Sequence, residues 1–125
     1  MKTCLIVDDS KIVRKVVRRI VEPLGFIILE AENGREAVDQ TRANLVDVII
    51  LDWNMPVMDG MECMKEIRAD TTLHQPKIIF CTTEIEFSNI QLAIMNGADE
   101  YVMMPFDETI IAGKMVQLGI IDEAH

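Results

Sequence analysis

The chain has 125 residues, half of them hydrophobic, and a formal charge of −9. This length and apolar content predict a single domain over residues 1–125 with its own core, and they argue against a disordered chain. The negative charge argues against nucleic acid as a partner, because binding to phosphate groups depends on Lys and Arg. Apolar runs such as Cys4–Val7 and Val48–Leu51 are far shorter than the roughly 20 residues of a membrane span. We therefore expect a soluble, cytoplasmic protein with no membrane span.

Short continuous apolar runs alternate with amphipathic stretches along the whole chain. The runs of strand length are Thr3–Val7, Phe26–Glu30, Asp47–Leu51, Lys77–Cys81 and Asp99–Met103. The helical stretches are Ser10–Glu22, Arg35–Ala43, Gly60–Ala69, about Glu86–Met95, and a last helix from Asp107 to about Leu118. Ser10 and Asp107 are predicted N-caps, and Asn96-Gly97 is a predicted helix stop.

This strict alternation of five strands and five helices predicts the fold class. Strands that alternate with helices lie parallel, with helices on both faces of the sheet. Val48–Leu51 shows no apolar–polar alternation, which is typical of a strand buried on both faces. Right-handed crossovers then give an α/β, doubly wound (βα)5 three-layer sandwich.

Polar residues follow the predicted strands at the edge where their carboxyl ends meet. Asp8 and Asp9 follow the first strand, Asp52 the third and Thr82 the fourth. Like charges about 4 Å apart repel by roughly 4 kcal/mol at an effective dielectric constant near 20, so three converging carboxylates require a proton or a cation. A hard divalent ion with oxygen ligands, Mg²⁺ or Mn²⁺, is the expected cofactor. The alternative is three unrelated surface or helix-capping aspartates.

A carboxylate beside Mg²⁺ can act as a nucleophile on phosphorus and form an aspartyl phosphate. The hydroxyl of Thr82 is then placed to hydrogen-bond the new phosphoryl oxygens. These residues predict a switch that responds to the appearance and removal of a dianion.

Four motifs, in this order and spacing, resemble those of CheY-like response regulator receiver domains of two-component signalling. They are Leu5-Ile6-Val7-Asp8-Asp9-Ser10, Leu51-Asp52-Trp53-Asn54-Met55-Pro56-Val57-Met58-Asp59-Gly60, Cys81-Thr82-Thr83-Glu84, and Gly97-Ala98-Asp99-Glu100-Tyr101-Val102 leading to Pro105-Phe106. The second string, with Ile67-Arg68-Ala69-Asp70, is especially similar to chemotaxis-type receivers. The resemblance covers essentially the full chain.

The resemblance implies a flavodoxin/CheY-like sheet with strand order 2-1-3-4-5. It implies that Asp52 is the phosphoryl acceptor, that Asp9 is a direct metal ligand and that Asp8 acts through water. Asn54 aligns with the residue that gives its backbone carbonyl to the metal. The phosphoryl donor would be a histidine kinase or phosphotransfer protein. The chain would be a signalling protein with phosphoryl-transfer and autodephosphorylation chemistry rather than a dedicated enzyme.

The resemblance also implies how the signal leaves the domain. Thr82 and Tyr101 align with the switch residues, and the surface of the fourth helix, fifth strand and fifth helix is where partners of the family bind. The corresponding apolar residues are Phe87, Ile90, Ile94, Tyr101 and Met103. The alternative for Phe87 and Ile90 is an ordinary place in the core. With no DNA-binding segment after the last helix, we expect output through contact between a monomer and a downstream target protein, unless the chain is a fragment of a longer regulator.

Met104 is the one departure from the family pattern. Receivers usually carry a lysine immediately before the proline of the fifth strand, where it pairs with the aspartate and the phosphoryl group. Methionine has no charge and no donor. The acidic cluster should therefore depend more strongly on its cation. The alternative function is an atypical or pseudo-receiver, a phosphate sink whose output is weakly coupled to phosphorylation.

Two further alternatives involve other residues. The first helix carries a basic stripe, which is either a solvated face or a docking surface for an acidic partner or an anionic second messenger; its members are Lys11, Arg14, Lys15, Arg18 and Arg19. A haloacid-type phosphatase also uses an aspartate on a doubly wound sheet. That class requires a second Asp two residues after the nucleophile, where this chain has Asn54.

Overall fold

A computed structural model describes residues 1–82 and 87–122 of the chain, without the side chains of residues 87 and 88. The strands are β1 (Thr3–Val7), β2 (Ile27–Ala31), β3 (Val48–Asp52), β4 (Lys77–Thr82) and β5 (Glu100–Met103). The helices are α1 (Lys11–Val21), α2 (Gly34–Ala43), α3 (Gly60–Ala69), α4 (Phe87–Met95) and α5 (Glu108–Gln117), with a short 3₁₀ turn at Glu22–Leu24 after α1. The predicted elements are all present, and their bounds agree with the prediction or differ from it by one residue.

The five strands form one parallel sheet in the order β2-β1-β3-β4-β5. The predicted doubly wound fold and strand order are therefore confirmed. β2 lies on one side of β1, and β3 and the later strands lie on the other side. β1 and β3 are therefore neighbours in the sheet although a strand and two helices separate them in sequence. A crevice is expected beyond the carboxyl ends of strands at such a switch point.

The sheet is covered on both faces by apolar side chains. Alternate strand residues contribute to two core clusters, as successive side chains of a strand point to opposite faces. The first cluster, beneath α2 and α3, includes Leu5, Ile49, Phe80, Met64 and Ile67. The second, beneath α1 and α5, includes Ile6, Ile50, Val17, Ile111 and Met115. The prediction that β3 is buried on both faces is confirmed.

Side-chain caps fix where the helices begin. The Ser10 hydroxyl accepts a hydrogen bond from the amide of Val13, and Asp107 accepts one from Ile110, as predicted. Asn33 and Asp59 cap α2 and α3 in the same way. Within residues 1–82 and 87–122, no helix combines the length and apolar character needed to cross a bilayer.

Leu92 and Met95 of α4 lie at the surface and not in the core. Their exposed fractions are 47% and 83%, whereas Ala93 is buried. Because successive residues of an α-helix are about 100° apart, a helix that turns Ala93 to the core places Leu92 at its side and Met95 nearly opposite. Among the described side chains of α4, the buried one is therefore small, and Leu92, Ile94 and Met95 are left at the surface.

Candidate functional site

The acidic residues predicted at the strand ends lie together at the carboxyl edge of the sheet. Asp8 directly follows β1 and Asp52 ends β3, and these strands are paired in register through Val7 and Leu51. Carboxylate oxygens of Asp8, Asp9 and Asp52 all lie within 4.8 Å of one another. Asp8 and Asp52 are partly buried and Asp9 is exposed. The cluster is thus open to solvent on one side.

A tight turn holds the first two of these residues. The amide of Asp8 donates to the carbonyl of Ala31 at 3.1 Å, which continues the pairing of β1 with β2. The Asp8 carboxylate accepts from the amide of Ser10 at 2.8 Å, and Ser10 then caps α1. The sequence Asp-Asp-Ser therefore forms both the acidic pair and the start of the following helix.

The third carboxylate is held where α3 approaches β3. Asp52 Oδ1 accepts from the amide of Trp53 at 2.9 Å, and the amide of Gly60 donates to the Trp53 carbonyl at 2.8 Å. A Cβ atom at Gly60 would overlap the backbone carbonyl of Asp52 and press on the ring of Phe80. Glycine at the first position of α3 is therefore required for this close approach.

The cluster has an excess of negative charge. Burial, with the negative charges of Asp8 and Asp9, raises the pKa of Asp52 to about 7. Hydrogen bonds from the backbone amides of Trp53 and Asn54 act in the opposite direction and lower it. The pKa of Asp8 is also raised, mainly by burial, although the amide of Ser10 and the charge of Arg14 oppose the shift. None of the main influences on Asp52 comes from a cation. Such an all-oxygen site fits a hard divalent cation.

Thr82 and Asn54 border a cavity next to this edge. Thr82 ends β4, one residue beyond Cys81, which is paired in register with Asp52. Asn54 is exposed in the loop that follows β3. A cavity of about 180 Å³ is lined by Trp53, Asn54, Thr82, Asn89 and Ile90. Asn89 was not anticipated from the sequence, because a polar residue on an amphipathic helix is ordinarily a solvated one.

Tyr101 and Met104 lie on and just after β5. Tyr101 pairs in register with Phe80, is partly buried against the first core cluster, and has Lys114 Nζ at 5.4 Å from its ring centroid. The Met104 amide donates to the Thr82 carbonyl at 2.8 Å, which places its backbone at the carboxyl edge. Its side chain is partly buried against the second core cluster. The position expected to hold a lysine is thus beside Thr82 and carries no charge.

The predicted output face is apolar in part. Ile94 and Met103 are exposed, with accessible fractions of 45% and 42%. Ile90 is partly buried and lines the cavity beside Thr82, so its position is between the two alternatives considered for it. The side chain of Phe87 lies outside the described residues.

Arg14 is a residue of this region whose place could not be read from the sequence. It was expected only as one member of the basic stripe on the first helix. In the structure its Nη1 donates to the backbone carbonyl of Asp8 at 2.7 Å. Side chains of an α-helix point toward its N-terminus, and this general direction is the one signal that could have indicated the contact.

Comparisons with known proteins agree with this geometry. The response regulator receiver domain family matches residues 4–115. The chain is 37% identical over 121 residues to the chemotaxis protein CheY1 of Helicobacter pylori, covering 94% of this chain and 98% of that protein. It is also 37% identical over 113 residues to the CheY homolog of Campylobacter jejuni, covering 89% and 87%.

Solved structures show the same fold. The chain is similar to the chemotaxis protein CheY4 of Vibrio cholerae, with a TM-score of 0.86 and 32% identity over 94% of this chain and 98% of that one. It is also similar to a chain of the CheX–CheY–BeF₃–Mg²⁺ complex from Borrelia burgdorferi, with a TM-score of 0.87, 25% identity and coverages of 96% and 90%. The chain belongs to the response regulator receiver domain family of two-component signalling and is of the CheY-like type.

Proposed function

We propose that this receiver domain is a phosphorylation-dependent signalling switch in which Asp52 accepts a phosphoryl group from a histidine kinase or phosphotransfer protein. The observation that carries the proposal is the convergence of Asp8, Asp9 and Asp52 within 4.8 Å at one sheet edge. Three carboxylates so close together destabilise the fold unless a proton or a cation offsets their negative charge. The presence of such a cluster therefore favours a functional role for it.

The proposed cofactor is Mg²⁺ or Mn²⁺. It would be held directly by the side chains of Asp9 and Asp52 and by the backbone carbonyl of Asn54, with Asp8 acting through water, an all-oxygen donor set. When bound, the cation supplies positive charge that offsets these carboxylates and the transferred phosphoryl group. The similar structure from Borrelia burgdorferi is of a complex that contains Mg²⁺ and BeF₃, which supports this assignment.

The chain's own residues would perform the transfer and register its outcome. An ionised oxygen of Asp52 forms the new bond to phosphorus while the bond from the donor's histidine nitrogen to phosphorus breaks. Thr82 lies one residue past the partner of Asp52 on the neighbouring strand, and its hydroxyl would donate to a phosphoryl oxygen. The appearance of a dianion beside Thr82 is the event that the switch would detect.

Output would pass through the surface formed by α4, β5 and α5 to a downstream target protein. Exposed Ile94 and Met103 lie on this surface, and Tyr101 lies between it and the first core cluster. Met103 is the residue of β5 that pairs in register with Thr82. A change at Thr82 therefore has a short path to the exposed residues of β5.

Mass spectrometry tests the acceptor directly. We expect the wild-type protein, treated with Mg²⁺ and phosphoramidate, to gain the mass of one phosphoryl group and Asp52→Asn to gain none. Asp107→Asn is a matched control, because Asp107 caps α5 outside the cluster and asparagine caps equally well. Equal modification of wild type and Asp52→Asn contradicts the acceptor assignment.

A second measurement tests whether modification reaches the proposed output face. We expect beryllofluoride with Mg²⁺ to shift the NMR resonances of Thr82, Tyr101 and Met103 together. Shifts confined to residues around Asp52 would instead support the phosphate sink, in which Asp52 is modified without any signal at β5.

A further inference from the structure

The turn that presents Asp8 and Asp9 is fixed by three hydrogen bonds to Asp8. Its amide donates to Ala31, and its carboxylate accepts from the amide of Ser10. Its carbonyl oxygen, which belongs to the peptide unit joining Asp8 to Asp9, accepts from Arg14 Nη1 at 2.7 Å. This third bond is the one supplied by a side chain, and it sets the rotation of the peptide unit between two of the three clustered carboxylates.

The guanidinium of Arg14 is itself held in place. Its Nε donates to Glu30 Oε1 at 3.0 Å, and its side chain is only 12% exposed. Glu30 lies on β2, and its other oxygen accepts from Arg18 Nη1 at 2.7 Å. Arg14 thus spans from β2 to the Asp8 carbonyl with two donors of one rigid fork. A lysine at this position offers a single charged nitrogen and cannot reproduce both bonds in this geometry.

We propose that Arg14 is a positioning residue of the acidic site, which holds the Asp8–Asp9 peptide unit so that both carboxylates face Asp52. Its consequence for metal binding rests on the proposed function; its effect on the turn does not. Arg18 shares Glu30 but, within the part of the chain that the structure describes, makes no hydrogen bond to Asp8. It therefore separates the role of the Glu30 network from the role of the contact with Asp8.

A role as a nearby charge and a role in positioning predict different cation affinities for variants of Arg14, so the two roles can be distinguished by experiment. If Arg14 acted only as a nearby positive charge, its removal would strengthen cation binding, and Arg14→Lys would leave binding unchanged. If it positions the peptide unit, both Arg14→Gln and Arg14→Lys weaken binding. Outer groups that orient metal ligands typically contribute about tenfold or more to affinity.

The first experiment is a Mg²⁺ titration followed by fluorescence of Trp53, the single tryptophan of the chain. We expect about tenfold weaker binding in Arg14→Gln and Arg14→Lys. Arg18→Gln should bind within about twofold of wild type, because an exposed pair contributes little. Mg²⁺ binding that is unchanged in Arg14→Lys or tighter in Arg14→Gln overturns the inference.

The second experiment needs no metal. Hydrogen exchange of the Ser10 amide, which donates to Asp8, should be roughly fivefold faster in both Arg14 variants and unchanged in Arg18→Gln. Unchanged exchange in the Arg14 variants overturns the inference whatever the Mg²⁺ titration shows. A wild-type protein with no response to Mg²⁺ contradicts the proposed metal site, while the exchange rates still decide the role of Arg14.

Discussion

The carboxylates at the two edges of the sheet have opposite surroundings: those at the amino edge accept hydrogen bonds from donors of the protein, whereas those at the carboxyl edge face one another. At the edge where the strands begin, Asp99 Oδ2 accepts from Arg68 Nη2 at 3.0 Å and from the amide of Ile78 at 2.8 Å. Asp47 there accepts from the amide of Thr3 at 2.8 Å. At the edge where the strands end, Asp8, Asp9 and Asp52 lie together, and the pKa of Asp52 is raised to about 7.

This difference separates carboxylates that stabilise the fold from carboxylates that are available for chemistry. A partly buried carboxylate with a guanidinium and an amide donor lowers the free energy of the folded state. A carboxylate that faces others of its kind raises that free energy, and proteins retain such arrangements mainly where they bind or react. The stability of this chain should therefore respond with opposite sign to neutralising substitutions at the two edges.

The largest effect is expected at Arg68, which ties the amino edge together. Its guanidinium donates to the Gly97 and Pro76 carbonyls and to the side chains of Gln75 and Asp99, at distances between 2.8 and 3.0 Å. Arg68→Met removes these donors and leaves Asp99 without its cation. We expect a loss of about 2 kcal/mol in the free energy of unfolding, measured by urea denaturation.

Arg42→Met is the matched control for Arg68→Met. Arg42 also pairs with an aspartate, Asp70, at 3.3 Å, but its side chain is 47% exposed. An exposed pair of this kind contributes little, so we expect no measurable change in the free energy of unfolding. Equal losses in the two variants would show that the amino edge is not specially stabilised by Arg68.

A smaller effect of opposite sign is expected for Asp52→Asn in the absence of metal. Because burial raises the pKa of Asp52 from 3.8 to about 7, the folded protein holds a proton that the unfolded chain has released between these values. The stability that this proton provides is complete below pH 3.8 and is lost as the pH rises through 7. Above pH 7, Asp52→Asn should be about 1 kcal/mol more stable than wild type, after allowance for solvent screening.

Urea denaturation of both proteins from pH 5 to pH 8 measures this difference. The free energy of unfolding of the wild-type protein should decrease relative to that of Asp52→Asn as the pH rises across this range. Added Mg²⁺ should reduce the difference between the two proteins. A difference between the two proteins that does not vary with pH would mean that Asp52 is ionised throughout, and the contrast between the two edges would be lost.

The fold could be predicted largely because each strand is a short apolar run and because α1, α2, α3 and α5 each begin after a capping residue. The side of α4 that faces the core could not be predicted, for a physical reason. Its sequence offers overlapping apolar stripes, so periodicity alone cannot identify the side that faces the core. The structure shows that Ala93 faces the core, and that choice depends on how closely the helix approaches the sheet.

The acidic cluster could be predicted from strand ends alone, since parallel strands bring their carboxyl ends to one edge. The contact of Arg14 with Asp8 could not, because it depends on Glu30 of a different strand holding the guanidinium. The meaning of Met104 was also beyond composition and periodicity. Only the resemblance to receivers indicated that a lysine is expected at this position. In the structure the backbone of Met104 lies beside Thr82.

Met104→Lys is the smallest of the expected effects and tests the charge balance of the carboxyl edge. A lysine here adds a cation near Thr82 while the rest of the edge is kept. The added charge should compete with Mg²⁺ and weaken its binding about threefold at low salt, with a smaller effect at high salt. Met103→Lys is the matched control, because the neighbouring side chain is exposed and points to the other side of the strand. An equal change in both variants would indicate a general effect of net charge, whereas a change confined to Met104→Lys would show that the carboxyl edge lacks a cation at this one position.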